Sequence, residues 1–379
     1  MTDQQNIVRL RVNGLDYGGW KKVSISAGIE RQARDFSLAV TDRWPGAMGQ
    51  GSVPHRIRPG DLCELYIGAD KVLTGFVDAT PISYDAQQFS VGVSGRSKTA
   101  DLVDCSAINT PGQWRGMKIE RIAAELGQPY GVTVRAEVDT GAAVPDHQIQ
   151  QGETVAESLD RILRIRHLLA TDTAEGELVL ITVGGGRADT ALVLGGDKGN
   201  ILSADVPFDF KDRFSAYVCK GQRAGDDASS AEAVSGGTAS NADTAITRKR
   251  VMLIKQTGQA DEGTCRDRVD YERSVRMGKS LAATYTVAGW RQGSGALWAP
   301  NLLVRVQDRI AGFDRDMLIS EIEYKLDDSG LVAVLQVAPP EAFATAAWKQ
   351  RKTKGAKAKK DVDEVSGVDE WVDFTKGIQ

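Results

Sequence analysis

The triplet Asp139-Thr140-Gly141 is the short segment of this sequence that comes nearest to a catalytic motif. In retroviral-type aspartic peptidases, two loops of this composition meet in a dimer and their paired carboxylates share one proton. Such an enzyme also needs an apolar-apolar-Gly-Arg segment, for which residues 182–187 are a poor substitute. Asp-Thr-Gly is also a common turn sequence. The sequence therefore favours a turn here, and no catalytic residue is assigned.

The other candidates for chemistry are three histidines, His55, His147 and His167, and the glycine run at 184–186. The histidines show no His-x-x-x-His or His-x-Cys spacing, so no metal site is predicted. The glycine run lacks the Gly-x-Gly-x-x-Gly and Gly-Lys-Ser/Thr patterns that hold phosphates, so no cofactor is predicted. A carboxylate pair for cell-wall hydrolysis stays open as an enzymatic alternative, beside the peptidase-like loop, because distances among 51 acidic residues are not visible in a sequence.

Length and charge narrow the class of protein. A chain of 379 residues is too long for one ordinary core, so roughly two to four domains are expected. The 47 basic and 51 acidic residues give a formal net charge of -4, which argues against specific nucleic-acid binding. Four cysteines, at positions 63, 105, 219 and 265, are too scattered for a metal knuckle and indicate a reducing compartment. No apolar run approaches about 18 residues, so no membrane span is predicted.

The clearest structural pattern lies in residues 290–343. An apolar run at 302–306 is followed by alternation of apolar and polar residues at 317–326. The tripeptide Asp328-Ser329-Gly330 has turn chemistry, and a third β-branched run follows at 331–337. This order predicts strand, connector, strand, tight turn and strand.

A similar order of strands occurs earlier in the chain. After residues 58–60, strands are predicted at 62–67, 72–77, 82–84 and 89–93. Either a β-module has been duplicated, or two antiparallel sheets look alike at this level of detail. The sequence leaves both interpretations open.

The first residues carry another β pattern. Apolar and basic residues alternate over 8–12, and Asn13-Gly14 then offers the positive φ angles of a two-residue hairpin turn. Trp20 and Trp44 fall near strand ends and are interpreted as core or rim aromatics, with ligand stacking as the alternative.

A helical pattern begins after residue 104. Residues 117–126 place Ile119, Ile122 and Leu126 on one face, and Gly127 ends this predicted helix. Thr154 and Glu157 form a capping box in front of a second predicted helix. With a strand at 178–183, these elements predict a small mixed α/β unit.

Residues 224–245 contain Val234 as their only larger apolar side chain. Such a composition cannot bury enough surface to offset the entropy of ordering, so a disordered loop is predicted. A strand at 248–256, a charged helix at 264–277 and a strand at 284–290 are predicted after it.

The last residues are of low complexity. Residues 349–360 hold seven basic side chains, and residues 361–373 are acidic. The basic run is interpreted as a solvated linker, with phosphate binding as the alternative, because the acidic stretch screens it and it contains no aromatic residue. Trp371 and Phe374 are apolar anchors in this acidic surrounding and are the candidate contacts with a partner protein.

A series of short segments shares its order and spacing with one protein family: Asn13-Gly14, Arg58-Pro59-Gly60-Asp61, Thr74-Gly75-Phe76-Val77-Asp78, Gly95-Arg96-Ser97, Gly152-Glu153-Thr154-Val155, and Gly289-Trp290 with Leu297-Trp298-Ala299-Pro300-Asn301. Together they resemble the baseplate hub proteins of contractile-tailed bacteriophages, above all those of the Mu type. The N-terminal part of type VI secretion spike proteins is similar. The resemblance covers residues 7–343, and the order of the segments carries it rather than any single motif.

The resemblance, with the strand patterns, implies a β-rich α+β, multidomain fold that contains two similar barrel-like antiparallel β-modules with inserted small α/β domains. The expected division of the chain is a first tube-like β-barrel domain at 1–106, a small α/β domain at 107–196, a second tube-like β-barrel domain at 197–222 plus 301–345, an inserted segment with a disordered loop, helix and strands at 223–300, and a low-complexity charged tail at 346–379.

The function that the resemblance implies is structural and not enzymatic. It is that of a homotrimeric ring that adapts a three-fold spike to a six-fold tail tube during assembly and host-envelope penetration. The implied partners are the tail spike protein and the tail tube or other baseplate proteins. DNA would pass through the central channel without specific binding. The implied location is the virion tail baseplate, assembled in the host cytoplasm.

Overall fold

The computed structural model describes residues 4–43, 57–84, 88–166, 168–221, 237–256, 262–328 and 330–343. All of them belong to one compact unit, Met1–Trp348. Most of the described elements are strands, and the four described helices are separated from one another along the chain. The prediction of a β-rich chain is therefore confirmed.

The first β-module comprises strands β1 to β8. The predicted hairpin turn is confirmed, because Asn13 and Gly14 have φ angles of 50° and 79° and connect two antiparallel strands. Residues that alternate along these strands are buried in one core, among them Val8, Leu10 and Val12. The strands are β1 (Val8–Val12), β2 (Leu15–Tyr17), β3 (Lys22–Gly28), β4 (Asp35–Arg43), β5 (Leu62–Ile67), β6 (Asp70–Ala79), β7 (Ile82–Tyr84) and β8 (Gln88–Ser97).

The α/β unit follows the first module. The predicted capping box is confirmed, because the Thr154 backbone N–H donates to Glu157 Oε2 at 2.9 Å and the Glu157 backbone N–H donates to Thr154 Oγ1 at 3.2 Å. The first predicted helix of the α/β unit begins at Ile119 rather than at residue 117, since Gln113–Met117 is a strand. The elements are α1 (Ala100–Asp104), β9 (Gln113–Met117), α2 (Ile119–Gly127), β10 (Val134–Ala136), β11 (Val144–Gln148), α3 (Val155–Arg166), β12 (Leu169–Asp172) and β13 (Leu178–Ile181).

Three short strands lead from the α/β unit to a separate three-stranded sheet. That sheet has the order β18-β17-β19, and the long helix α4 packs on one of its faces through Cys265 and Val269. The elements are β14 (Gly186–Arg187), β15 (Leu192–Val193), β16 (Ile201–Asp205), β17 (Ala216–Gly221), β18 (Thr238–Ala242), β19 (Val251–Gln256) and α4 (Glu262–Lys279).

The second β-module is built on four further strands: β20 (Ala283–Ala288), β21 (Leu302–Asp308), β22 (Phe313–Asp327) and β23 (Gly330–Ala338). The three strands predicted from residue 302 onwards are confirmed. Strands β14 and β15 pair in parallel with β21, and β16 pairs with β20, so these three also belong to the second β-module.

The two modules form one continuous sheet. Strand β22 pairs antiparallel with β3, from Glu321 opposite Gly28 to Leu326 opposite Val23. The resulting 15-stranded sheet has the main order β16-β20-β23-β22-β3-β4-β8-β6-β5-β1-β2. Among the described residues this order has two free ends, so hydrogen bonding within one chain does not close either module into a barrel.

Three strands differ from the sequence prediction, two in the sheet to which they belong and one in being a strand at all. Strand β17 was expected in the second barrel domain, but it pairs with β18 and β19. Strand β20 was expected in the inserted segment, but it pairs with β16 and β23 in the large sheet. Strand β18 lies in the predicted disordered loop, where its backbone bonds to β17 order a polar sequence; residues 224–236 of that loop lie outside the described residues.

No helix in the described ranges is long and apolar enough to cross a membrane. None of the four cysteines, all of which lie in the described ranges, forms a disulfide bond, and Cys63, Cys219 and Cys265 are buried. Burial raises the pKa of the Cys63 thiol to about 12, so this thiol is unreactive at neutral pH.

Candidate functional site

The Asp139-Thr140-Gly141 segment is a surface turn. The Gly141 backbone N–H donates to Asp139 Oδ1 at 3.0 Å, Gly141 has a φ of 81°, and the Asp139 side chain is 85% exposed. The Thr140 hydroxyl donates to the Glu120 carboxylate. A carboxylate that accepts from its own turn and faces solvent has the features of an Asx turn, which agrees with the interpretation favoured by the sequence.

His147 is the one predicted candidate histidine whose surroundings the structure describes, since His55 and His167 lie outside the described residues. It is buried, its Nε2 lies 2.9 Å from Ser158 Oγ, and its ring stacks on Trp114. Burial lowers the pKa of His147, and Arg161 adds to this effect. Because Ser158 is fully buried, its hydroxyl cannot reach a substrate, and this pair serves to join α3 to β11.

A groove of about 480 Å³ opens beside this pair, between β11 and α3. Among its lining residues Asp146 is the single carboxylate, and its Oδ1 accepts from Gln113 Nε2 at 2.7 Å. Glycoside hydrolysis requires two carboxyl groups that flank the scissile bond. The groove therefore lacks the carboxylate pair of the cell-wall-hydrolase alternative. Within the described ranges, no group of three or more His, Cys, Asp or Glu side chains is arranged to hold a metal.

The glycine run at 184–186 has a structural role. The Gly184 backbone N–H donates to Asn301 Oδ1 at 2.8 Å, and Asn301 Nδ2 donates to the Thr182 carbonyl at 3.0 Å. Gly186 then pairs with Leu302 at the start of β14. The amide N–H of Gly184 is thus used within the fold.

The contacts that fix the parts of the chain to one another were not visible in the sequence. Arg34, between β3 and β4, donates from Nε to Asp172 Oδ1 at 3.0 Å and from its backbone N–H to Asp172 Oδ2 at 3.1 Å. Arg34 Nη1 also donates to the Val72 carbonyl at 3.0 Å. Burial raises the pKa of Asp172, and Arg34 opposes this shift by favouring the carboxylate. This pair attaches the α/β unit to the first β-module.

Arg291 makes the corresponding attachment for the second β-module. Its Nη1 donates to Asp70 Oδ2 at 2.7 Å, and its Nη2 donates to the Gln5 carbonyl at 2.7 Å. The Arg291 side chain is 14% exposed, so this contact is largely shielded from water. Together with the pairing of β3 and β22, it holds the two modules in a fixed relation.

The two modules share the order of five strands and an irregularity within it: β3-β4-β8-β6-β5 in the first corresponds to β16-β20-β23-β22-β21 in the second. In the first module, the register of β6 against β8 shifts between Val77 and Ala79. In the second module, the register of β22 against β23 shifts between Ile319 and Glu321. In each module the strand that carries the bulge also pairs with a preceding strand, β5 in the first and β21 in the second. A β-bulge at the same place in both modules is a specific topological feature, and it supports the duplication interpretation.

Large apolar side chains are exposed on strand edges, including Ile82 on β7 at 51% and Leu202 on β16 at 60%. Exposed apolar edge strands are templates for pairing with another chain. Trp20 is half-buried against the large core, which agrees with a rim aromatic. Trp44 and the two predicted partner contacts, Trp371 and Phe374, lie outside the described residues.

Comparison with known proteins assigns a family to three parts of the chain. Residues 7–97 match the N-terminal domain of the Mu phage baseplate assembly protein GpP-like family. Residues 99–182 match the second domain of gp44-like baseplate hub proteins, and residues 262–346 match the fourth domain of the Mu phage baseplate assembly protein GpP.

Individual relatives extend this match to almost the entire chain. The 43 kDa tail protein of prophage MuSo2 from Shewanella oneidensis is 35% identical, with a TM-score of 0.79 over 89% of this chain and 99% of that one. A component of the E. coli type VI secretion system shares the fold, with 11% identity and a TM-score of 0.51 over 87% of this chain and 76% of that one. The baseplate hub protein gp44 of Escherichia phage Mu is 36% identical over 97% of this chain and 96% of its own length. The chain therefore belongs to the family of Mu-type phage baseplate hub proteins.

Proposed function

We propose that this protein is a structural hub of a contractile phage tail baseplate, and that three copies form a ring that adapts a three-fold spike to a six-fold tail tube. The observation that carries the proposal is the presence, in one chain of the hub family, of two β-modules that share the order of five strands and the same bulge. Three such chains present six equivalent modules, which resolves the difference between three-fold and six-fold symmetry.

The modules would stand about 60° apart around a central channel, as three-fold closure with two equivalent units per chain requires. Each module is then completed into a barrel-like wall by its neighbours and not by its own strands. DNA passes through this channel without sequence-specific contacts, in keeping with the balanced charge of the chain. The ring assembles in the host cytoplasm and resides in the virion tail baseplate, where it acts during host-envelope penetration.

The proposed division of the chain follows the sheet pairing. It keeps a first tube-like domain at 1–106 and a charged tail at 346–379, but it moves β14 and β15 from the α/β domain of 107–196 to the second tube-like domain, because both strands pair with β21. Because β20 pairs with β23 and β17 pairs with β18, the second tube-like domain gains 283–300 and gives up β17 to the inserted segment.

The proposed role is that of a scaffold without catalytic activity. The relatives are named as baseplate hub and tail proteins, and this supports the proposal. The contacts that were described above for Asp139 and His147 serve the fold. The proposed partners are the tail spike protein and the tail tube or other baseplate proteins.

The oligomeric mass tests the proposed ring. We expect the purified protein, or its complex with the spike, to contain three copies of the 40.8 kDa chain by light scattering. Averaged electron-microscope images of the same sample should show six similar lobes around a channel. A ring with a number of copies other than three would defeat the adaptor mechanism.

The second expected result concerns the tail. Deletion of residues 362–379 should abolish binding to the cognate spike protein, because Trp371 and Phe374 are the apolar anchors of this acidic segment. Replacement of both by alanine should weaken binding at least ten-fold in a titration, whereas Ile378→Ala serves as the matched control and should bind normally. Unchanged spike binding by the deletion variant would show that the tail only aids solubility.

A further inference from the structure

Strands β7 and β16 of the large sheet each have one edge without a strand partner within the described residues. Strand β7 pairs with β8 on one side only, and β16 pairs with β20 on one side only. Residues 202–205 of β16 are all exposed, and Ile82 on β7 is half exposed. Each edge therefore presents backbone N–H and C=O groups, with apolar side chains beside them, to the surroundings.

The shared plan of the modules identifies the counterpart of each open edge. Counting from the bulge, Ile82 lies three residues beyond Ala79, and Tyr324 lies three residues beyond Glu321. Ile82 is opposite Val91 on β8, and Tyr324 is opposite Ala333 at the equivalent place on β23. Strand β7 is thus the equivalent of the second half of β22.

Strand β16 has its counterpart in β3. Val23 of β3 pairs with Leu38 of β4, and Leu38 pairs with Val93 of β8. The equivalent path in the second module runs from Leu335 of β23 to Tyr285 of β20 and then to Ala204 of β16. Ala204 is therefore equivalent to Val23, and Asp205 is equivalent to Ser24.

These two counterparts are the strands that join the modules within the chain. The second half of β22 pairs with β3, where Lys325 is opposite Ser24 and Leu326 is opposite Val23. The same contact is reinforced by a 2.7 Å hydrogen bond from Ser24 Oγ to Glu323 Oε1. The two open edges are thus equivalent to the two halves of a junction that the chain already forms once.

We infer that β7 of one chain pairs antiparallel with β16 of a second copy, as a repeat of the junction between β22 and β3. Transfer of the internal register places Ser83 opposite Asp205 and Ile82 opposite Val206. Because β7 and β16 are different strands, the contact is head-to-tail and generates a closed ring when the rotation per chain divides a full turn. This inference rests on the proposed trimeric hub, and it names the surface through which the trimer closes.

Paired cysteines test the register. Directly opposite residues of antiparallel strands have Cβ atoms about 4.5–5.5 Å apart, close to the distance that a disulfide spans. The variant Ser83→Cys/Asp205→Cys should form a covalent trimer under mild oxidation, seen as a ladder up to three chains on a non-reducing gel. A mixture of the Ser83→Cys and Asp205→Cys chains should yield covalent dimers only.

The controls separate this inference from the proposed trimer. All of these variants also carry Cys105→Ser, since Cys105 is the one native cysteine that is partly exposed, whereas Cys63, Cys219 and Cys265 are buried. Either single variant alone should then remain uncross-linked. A trimeric mass without cross-linking of the double variant would overturn the edge pairing while the trimer stands. Cross-linking by a single variant alone would indicate a symmetric contact and would also overturn it. A monomeric mass both alone and with the spike would overturn the trimer and this inference together.

A charged substitution on the open edge of β7 gives an independent test of the edge pairing. Ile82→Asp should raise the dissociation constant of the trimer at least ten-fold while the melting temperature of the single chain stays unchanged, because Ile82 is exposed in the isolated chain. Leu253→Asp is the matched control, since Leu253 is 65% exposed and lies on β19 of the separate three-stranded sheet. Equal effects of the two substitutions would contradict the assignment.

Discussion

Replacement of Asp243 by alanine is expected to lower the free energy of unfolding by about 3–5 kcal/mol, because it leaves a buried guanidinium without its carboxylate. Asp243 accepts from Arg213 Nε at 2.9 Å and from Arg213 Nη2 at 3.0 Å, and both side chains are at most 5% exposed. The pair joins the segment before β17 to the one after β18. Equilibrium unfolding in urea, followed by tryptophan fluorescence, measures the change.

A surface pair supplies the matched control for this prediction. Arg305 Nη2 lies 2.7 Å from Asp314 Oδ1, but the Asp314 side chain is 70% exposed, so Asp314→Ala should change the free energy of unfolding by less than about 1 kcal/mol. The double variant Arg213→Met/Asp243→Leu should be more stable than Asp243→Ala, since it removes both charges together. Equal losses for Asp243→Ala and Asp314→Ala would contradict the explanation by burial.

Replacement of Gly75 by alanine is expected to cost about 3 kcal/mol or more, or to prevent folding, because β6 and β8 approach too closely for a side chain. A Cβ atom on Gly75 would lie 1.9 Å from the Arg96 carbonyl oxygen and 2.6 Å from Ser97 Cα. Both are backbone atoms in the strand that pairs with β6, so the clash cannot be relieved by a change of rotamer. Thermal unfolding followed by circular dichroism measures the loss.

Gly18→Ala controls for the loss of glycine itself. The nearest atom to a Cβ at Gly18 is the Val8 carbonyl oxygen at 3.7 Å, an ordinary contact, so stability should stay within about 0.5 kcal/mol of the parent protein. A folded Gly75→Ala variant with the stability of Gly18→Ala would show that β6 and β8 can separate without cost.

Features that depend on neighbouring residues were predictable from the sequence alone. The strands β21, β22 and β23, the Asn13-Gly14 hairpin turn and the capping box of Thr154 and Glu157 all form where the pattern placed them. Each is determined within a few residues, by side-chain alternation, by positive φ angles or by hydrogen bonds at a helix start. The order and spacing of such features also identified the family.

Pairing between distant strands was decided by the tertiary structure. The sequence placed β17 in the second barrel domain and β20 in the inserted segment, and it gave no sign that β22 pairs with β3. Alternation shows that a strand has a buried face, but backbone hydrogen bonds are the same for every residue type other than proline. A strand pattern therefore does not name its partner.

The same limit applies to the open edges of β7 and β16 and to the residues that attach the modules and the α/β unit to one another. Ile82 and Leu202 resemble core strand residues in the sequence, and only the completed sheet shows that their strands have open edges. Arg34 and Asp172 resemble ordinary surface charges, and folding brings them to 3.0 Å across a separation of 138 residues. Local sequence determined which segments become strands and helices, whereas the packing of those segments decided which edges stay free, because burial depends on neighbours that are remote in the chain.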